Sequence, residues 1–356
     1  MNTHKIKRTL SAVIVSTLTA LMPISESLAC SRAVYLGPEG TIITVRSMDW
    51  ASDLGTNLWA FPRGMSRDGA AGPRSIRWTS KYGSVVAAAF EIATADGMNE
   101  KGLVANLLYL AESDYPKQPR DSAQQSMSIS AWAQYVLDNY ATVAEAVAEL
   151  QREAFFVVPV KTPDGHEGTV HMAISDPTGD SAIFEYVGGQ LVIHHGRQYQ
   201  VMTNSPTYDQ QLALADYWQQ IGGTTMLPGT NRAADRFVRA SFYINAIPKT
   251  ADSNEAVASA FSVIRNVSTP LGISTPGQPN IASTLWRTVS DHKNRRYFYE
   301  SARSPNVFWV ALGDMDFTAS KPTKRLVLTS GAVYAGNAAP HFQPAEPFKF
   351  LDAVVK

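Results

Sequence analysis

The chain is poor in the residue that most often staples exported proteins. It has 356 residues and one cysteine, Cys30. A lone cysteine closes no intramolecular disulfide, so no disulfide framework is available to this fold. Charge of one sign is also lacking, with 31 basic against 31 acidic residues. That balance excludes the basic surface of a nucleic-acid binder, and no nucleic-acid partner is expected. No stretch after the first residues approaches the roughly 18 apolar residues of a membrane helix, so no membrane span is expected. His166, His171, His194, His195, His292 and His341 show no metal-ligand spacing. Neither a Walker nor a Rossmann glycine pattern nor a G-x-S-x-G elbow is present. No metal and no cofactor are therefore expected. Ser290-Asp291-His292-Lys293 fits Ser-x-x-Lys, but its surroundings read as strand, turn, strand, where that motif needs a helix start.

What is present begins with a targeting signature. Lys5, Lys7 and Arg8 make a positive start, Ser11 to Ala20 is apolar or small, and Ser27-Leu28-Ala29 supplies small residues before a cut. These are the parts of a secretory signal peptide over residues 1–29. Export to the periplasm or the medium is the expected localisation, and residues 30–356 are expected to form a single domain. Three basic residues and one acidic residue lie in the leader, so the remainder carries a net charge of −2. At 45% hydrophobic residues the composition is that of an ordinary globular protein with a large core.

Turn punctuation is dense. Val34–Leu36 and Thr41–Arg46 flank Gly37-Pro38-Glu39-Gly40, a hairpin turn. Further strands are expected at Asn57–Phe61, Ile76–Thr79, Val85–Phe90, Leu103–Leu110, Phe155–Val160, Val170–Ser175, Ser181–Tyr186, Leu191–His195, Gln200–Thr203, Thr284–Ser290, Tyr297–Tyr299 and Val307–Leu312. Helical periodicity covers Ser128–Asp138, Thr142–Glu153, Gln210–Gln219, Ala233–Ala246 and Asn254–Arg265. This order predicts a layered α+β protein with large antiparallel sheets. The tail with Pro340, Pro344 and Pro347 reads as a chain end wrapped over the surface.

The hairpin has a chemical consequence. With the turn centred near Glu39, paired positions sum to about 78. Cys30 then faces position 48, and Arg46, Met48 and Asp49 return to its neighbourhood. If the leader is cut before Cys30, thiol and α-amine share one residue. An α-amine with an ordinary pKa of about 7.7–8.0 suits a general base. The thiol can pass its proton to that amine and attack a carbonyl, Arg46 can support the thiolate, and Asp49 can hold the amine. Trp50 is a candidate pocket wall for an apolar acyl group. From these residues alone, Cys30 can also be a lipoprotein anchor or a small core residue.

"CSRAVYLGPEGTIITVRSMDW" (30–50) resembles the start of the mature choloylglycine hydrolase family, N-terminal nucleophile hydrolases that include penicillin V acylases and bile-salt hydrolases. "DGMNEKGLVANLLYL" (96–110), "VMTNSPTYDQQL" (201–212) and "DRFVRASFY" (235–243) continue the resemblance in the family's order. It implies a four-layer αββα sandwich and hydrolysis of a linear amide. It implies Cys30 as nucleophile, Arg46 and Asp49 as its organisers, the Asn204 carboxamide as oxyanion donor, and Arg236 as the group that ties the site together. The backbone N–H of Tyr109 would complete the oxyanion hole, and Trp50 and Tyr109 would touch substrate. The short segment between Asn204 and Arg236 resembles the Gram-negative branch, whose members cleave penicillin V and, in some cases, acyl homoserine lactones. Conjugated bile salts rank behind these as substrates. A homotetramer is the implied assembly, although Gram-positive members use a longer insertion in that segment to build theirs.

Overall fold

The computed structural model describes residues 30–353, apart from 224, 276, 277 and 305, and the side chains of 275–281. The expected leader lies outside the described residues.

Two sheets are stacked at the centre, antiparallel except where Gly336–Asn337 pairs in parallel with Val307–Ala311 at the edge of the first. The first hairpin forms as the turn residues require: Glu39 and Gly40 take positive φ of 53° and 72°, and Thr41 N donates to Pro38 O at 3.0 Å. It joins β1 (Cys30–Leu36) to β2 (Ile42–Asp49), and Cys30 sits directly opposite Met48. β2 is buried along its whole length because it is central. Its other neighbour is the distant strand Thr284–Asp291, followed by Arg296–Ser301 and Val307–Ala311. Val201–Met202 pairs with the outer edge of β1. The second sheet runs Gln190–His195, Ser181–Val187, Val170–Ser175, Val104–Tyr109, Ala93–Asn99, Ser84–Ala89, Leu58–Phe61, then Lys324–Leu326 and Gln343–Pro344 at its edge.

Among the described residues, five α-helices cover the outer faces. α1 (Ile129–Asn139) and α2 (Val143–Leu150) lie on the second sheet; α4 (Ala233–Ala246) and α5 (Ser253–Asn266) lie on the first, with α3 (Tyr208–Ile221) beside α4. Each follows its expected span within a few residues. α1, α2 and α5 open on side-chain caps from Ser128, Thr142 and Asp252, which accept from otherwise unpaired N–H groups. One apolar cluster joins the facing sheets and α4–α5, and a second fills the space between the outer sheet and α1–α2. The result is the expected αββα order. Among the described residues no helix is long and apolar enough to cross a membrane.

Several expectations change, and the edge strands Lys324–Leu326 and Gln343–Pro344 are among the elements that the sequence reading lacks. Ala93–Asn99 is a strand that the sequence reading lacks, because Ala-Thr-Ala-Asp-Gly-Met-Asn offers no apolar alternation. It is buried all the same: Gly97 lies under α1 so closely that a Cβ there would come 2.6 Å from Val86 Cγ1 and 3.0 Å from Leu137 Cδ1. The tail also does more than wrap the surface. Phe348, Phe350 and Leu351 pack on the outer cluster, and Ser128 Oγ donates to Leu351 O at 2.7 Å.

The sheets are also tied together by polar groups. His292 Nδ1 lies 2.7 Å from Gly102 O and must donate to it. Nε2 then accepts from Thr44 Oγ1 at 2.7 Å, and Thr44 Oγ1 lies 2.7 Å from Ser175 Oγ. Burial, opposed by the Gly102 carbonyl, lowers the His292 pKa from 6.5 to about 4. In the unfolded chain His292 takes up a proton below pH 6.5, while the folded protein resists until about pH 4. Its contribution to stability is thus full above pH 6.5 and is lost as pH falls towards 4, a loss of about 3 kcal/mol. Urea melts of wild type and His292→Gln at pH 7 and pH 4 test this. The stability gap between the two proteins is expected to shift against wild type at pH 4; a constant gap rules His292 out as the source.

Candidate active site

Cys30, Arg46, Asp49, Asn204 and Arg236 meet in one buried cluster, and Cys30 and Arg46 of this cluster line the floor of a cavity. The hairpin supplies three of them. Cys30 Sγ faces Met48 Sδ at 3.8 Å, Asp49 O at 3.8 Å and Arg46 Nη2 at 3.9 Å. Arg46 is steered by donation from Nη2 to Leu107 O at 2.9 Å and by the Trp286 ring, 4.5 Å beneath its guanidinium. Asp49 Oδ1 accepts from Thr284 Oγ1 at 2.5 Å, whereas Oδ2 is buried without a partner among the described residues.

The other two residues arrive from far along the chain. Asn204 follows Val201–Met202, the strand on the edge of β1. Its Oδ1 accepts from Cys30 N and from Arg236 Nη2, the latter at 2.9 Å. Its Nδ2 donates to Tyr109 O at 2.7 Å. An amide NH₂ has two hydrogens and Tyr109 takes one. Arg236 reaches in from α4. Nη1 donates to Cys30 O at 2.6 Å and to Ser31 Oγ, while Nε donates to Asn231 O at 3.0 Å. A helical arginine would ordinarily face solvent; this one replaces its water with four protein acceptors.

Burial dominates the electrostatics. It pushes the Cys30 thiol pKa up; Arg46 pulls it down, the Asp49 carboxylate raises it, and the Asp49 backbone and Arg236 lower it. Burial also raises Asp49 to about 6, against Arg236, the Thr284 hydroxyl and Arg46. A thiol held protonated in this way needs a base before it can attack. No histidine is a hydrogen-bonding partner of Cys30 among the described residues.

Above the floor the cavity offers about 730 Å³ of free space, part of it open to solvent. Its walls are mostly apolar, among them Trp50, Leu54, Phe90, Ile92, Leu107, Tyr109, Ile129, Val160, Val170 and Leu351. Trp50 meets Tyr109 edge-on at 6.1 Å, and its Nε1 donates to Asp164 Oδ2 at 2.7 Å. An apolar cavity with a thiol and a guanidinium at its base, and the Asn204 carboxamide bonded to the thiol residue behind them, suits an acyl group carrying a polar bond to be attacked. Among the described residues no group of three metal-ligating side chains is present.

Every residue singled out from the sequence is therefore here. The sequence reading missed Thr284, Trp286, Asp164 and Gln211, which hold Asp49, Arg46, Trp50 and the Asn204 loop. Thr284, Trp286 and Asp164 carry no local signal, since each acts through a partner remote in sequence, whereas Gln211 lies seven residues from Asn204, within the 201–212 motif.

Known proteins share both the sequence pattern and the fold. Residues 30–324 match the linear amide C–N hydrolases of the choloylglycine hydrolase family. A penicillin V acylase of Pectobacterium atrosepticum is 52% identical over 98% of both chains. The solved penicillin V acylase of Agrobacterium tumefaciens is 58% identical, superposes with a TM-score of 0.84, and is covered fully by 91% of this chain. A conjugated bile acid hydrolase of Clostridium perfringens, solved in a mutant form, shares the fold at 21% identity and a TM-score of 0.72, over 83% of this chain and 96% of its own. The chain is thus an amidohydrolase and belongs to the choloylglycine hydrolase family of linear amide C–N hydrolases.

Proposed function

We propose that the protein hydrolyses a linear amide with Cys30 as an N-terminal nucleophile, after removal of residues 1–29 during export. The observation that carries this reading is the meeting of Cys30, Arg46, Asp49, Asn204 and Arg236 beneath an apolar chamber. Cleavage before Cys30 turns its amide into an α-amine; Asn204 Oδ1 already accepts from this nitrogen, and Asp49 Oδ2, without a partner among the described residues, supplies a second acceptor. The amine takes the thiol proton as sulfur attacks the carbonyl carbon. Negative charge builds on the carbonyl oxygen, where Asn204 Nδ2 and the Tyr109 N–H donate. The C–N bond then breaks, and the ammonium returns its proton to the departing amine. A water molecule, deprotonated by the same amine, hydrolyses the thioester and restores the thiol.

The acyl portion packs against Trp50 and Tyr109. Penicillin V, with a flat phenoxyacetyl group, and acyl homoserine lactones are the leading substrates; hydrolysis of the latter would quench quorum signals. Conjugated bile salts come second. The names and identities of the two acylases support this order. Membership of an amidohydrolase family excludes a non-enzymatic protein in which Cys30 is no more than a lipid anchor. The homotetramer and the periplasmic location belong to the same proposal.

Intact-mass measurement and N-terminal sequencing of protein made with its own leader test the maturation step. Hydrolysis of penicillin V, a long-chain acyl homoserine lactone and a glycine-conjugated bile acid ranks the substrates. A chain beginning at unmodified Cys30 is expected to be active, and a form that retains Ala29 is expected to be inert. Full activity with Ala29 still attached would remove the α-amine from the mechanism.

A further inference from the structure

Three buried polar side chains beneath Asn204 take no part in the chemistry above: His171, Glu185 and Gln211. His171 lies on Val170–Ser175 and Glu185 on the adjacent strand Ser181–Val187, one step from the Met172–Phe184 pair. His171 Nε2 is 2.7 Å from Thr203 O. A carbonyl has no hydrogen to give, so Nε2 donates. Nδ1 is 2.8 Å from Glu185 Oε1, which fixes the plane of the ring. The second carboxylate oxygen, Oε2, accepts from Tyr208 N at 3.0 Å, at the first turn of α3, where a helix favours negative charge.

One turn further along α3, Gln211 reaches back. Its Nε2 donates to Asn204 O and to Pro206 O, the latter at 2.6 Å, and its Oε1 accepts from Thr203 Oγ1 at 2.9 Å. The carbonyl of Thr203 belongs to the peptide before Asn204, and the carbonyl of Asn204 to the peptide after it. Both peptide units that flank the Asn204 Cα are therefore clamped, one from the sheet by His171 and one from the helix by Gln211. With the backbone pivot held on both sides, the carboxamide is aimed at Cys30, Arg236 and Tyr109 O.

We propose that His171 is a positioning residue for the amide hydrolysis, placing the Asn204 carboxamide through the Thr203 carbonyl, with Glu185 orienting the ring. The inference rests on the reading of Asn204 as the oxyanion donor. It differs from the ordinary role of a buried histidine, which is to support stability alone.

The test is a double-mutant cycle on the mature enzyme: kcat and KM for wild type, His171→Leu, His171→Gln, Asn204→Ala and the His171→Leu/Asn204→Ala double variant. His171→Leu is expected to lower kcat by about 10- to 100-fold with KM within about twofold, the size of effect a misplaced catalytic group produces. His171→Gln keeps an N–H donor and is expected to recover most of the loss. In the Asn204→Ala background, His171→Leu is expected to change kcat by less than about twofold, because no carboxamide is left to place. Full additivity of the two losses, or a lowered melting temperature with unchanged kcat, overturns the inference. If Asn204→Ala alone leaves kcat near normal, the oxyanion reading fails first and this inference falls with it, a result distinct from additivity. His171→Leu strands Glu185 in the sheet, so Gln211→Met runs the same cycle from the helix side if that variant does not fold; additivity there overturns the clamp in the same way.

Discussion

Cys30→Ala, matured normally, is expected to lose amide hydrolysis by on the order of 10⁶-fold, the scale on which a hydrolase loses its nucleophile. The α-amine, Asp49 and the oxyanion donors stay in place in this variant, so only the attacking atom is gone. Stability is expected to change little, by about 1 kcal/mol. The sulfur makes only long contacts, at 3.8 to 3.9 Å, and the substituted residue keeps the backbone N–H to Asn204 and the carbonyl to Arg236. Progress curves on penicillin V, with a thermal melt alongside, measure both. Residual turnover within tenfold of wild type would mean that another group attacks the carbonyl.

Asn204→Ala is the second large effect. Loss of one preorganised oxyanion donor costs about 10²–10³ in kcat. KM is expected to move far less, because the apolar walls that bind the acyl group are untouched. This variant also strips Arg236 Nη2 and Cys30 N of a shared acceptor, so a stability loss of about 1–3 kcal/mol should accompany it. Asn204→Asp separates the two effects: it keeps an acceptor for Arg236 and removes the donor. An equal kcat loss in both variants assigns the effect to Nδ2. A kcat within a few fold of wild type in both would sink the oxyanion role.

Much of this architecture was legible locally. The five α-helices among the described residues follow from apolar periodicity, and Ala233–Ala246 is observed with its expected bounds. The Gly-Pro-Glu-Gly turn at 37–40 set the register of the first hairpin, because a turn centred near Glu39 fixes which positions pair; Glu39 and Gly40 take positive φ to close it. That register alone brings Cys30 opposite Met48 and within reach of Arg46 and Asp49. Ala93–Asn99 escaped notice for a physical reason. Its Asp96 is buried, accepting from Tyr297 Oη at 2.5 Å and Asn106 Nδ2 at 2.6 Å, and its Gly97 makes room for a helix. Such a strand looks like a loop until its partners are present.

Local sequence thus settles the hairpin, the helices, and a thiol set beside an arginine and an aspartate. The surroundings of that thiol depend instead on how distant segments pack. Asn204 lies 174 residues from Cys30 and Arg236 lies 206 away. Thr284, 235 residues from Asp49, arrives only because the strand Thr284–Asp291 pairs with β2. Periodicity and turn chemistry act over a few residues, whereas these contacts depend on which strands pair and which helix lies across them. Burial follows from that pairing. It raises the Cys30 and Asp49 pKa values, leaves Asp49 Oδ2 without a partner among the described residues, and makes a buried ligand of a helical arginine.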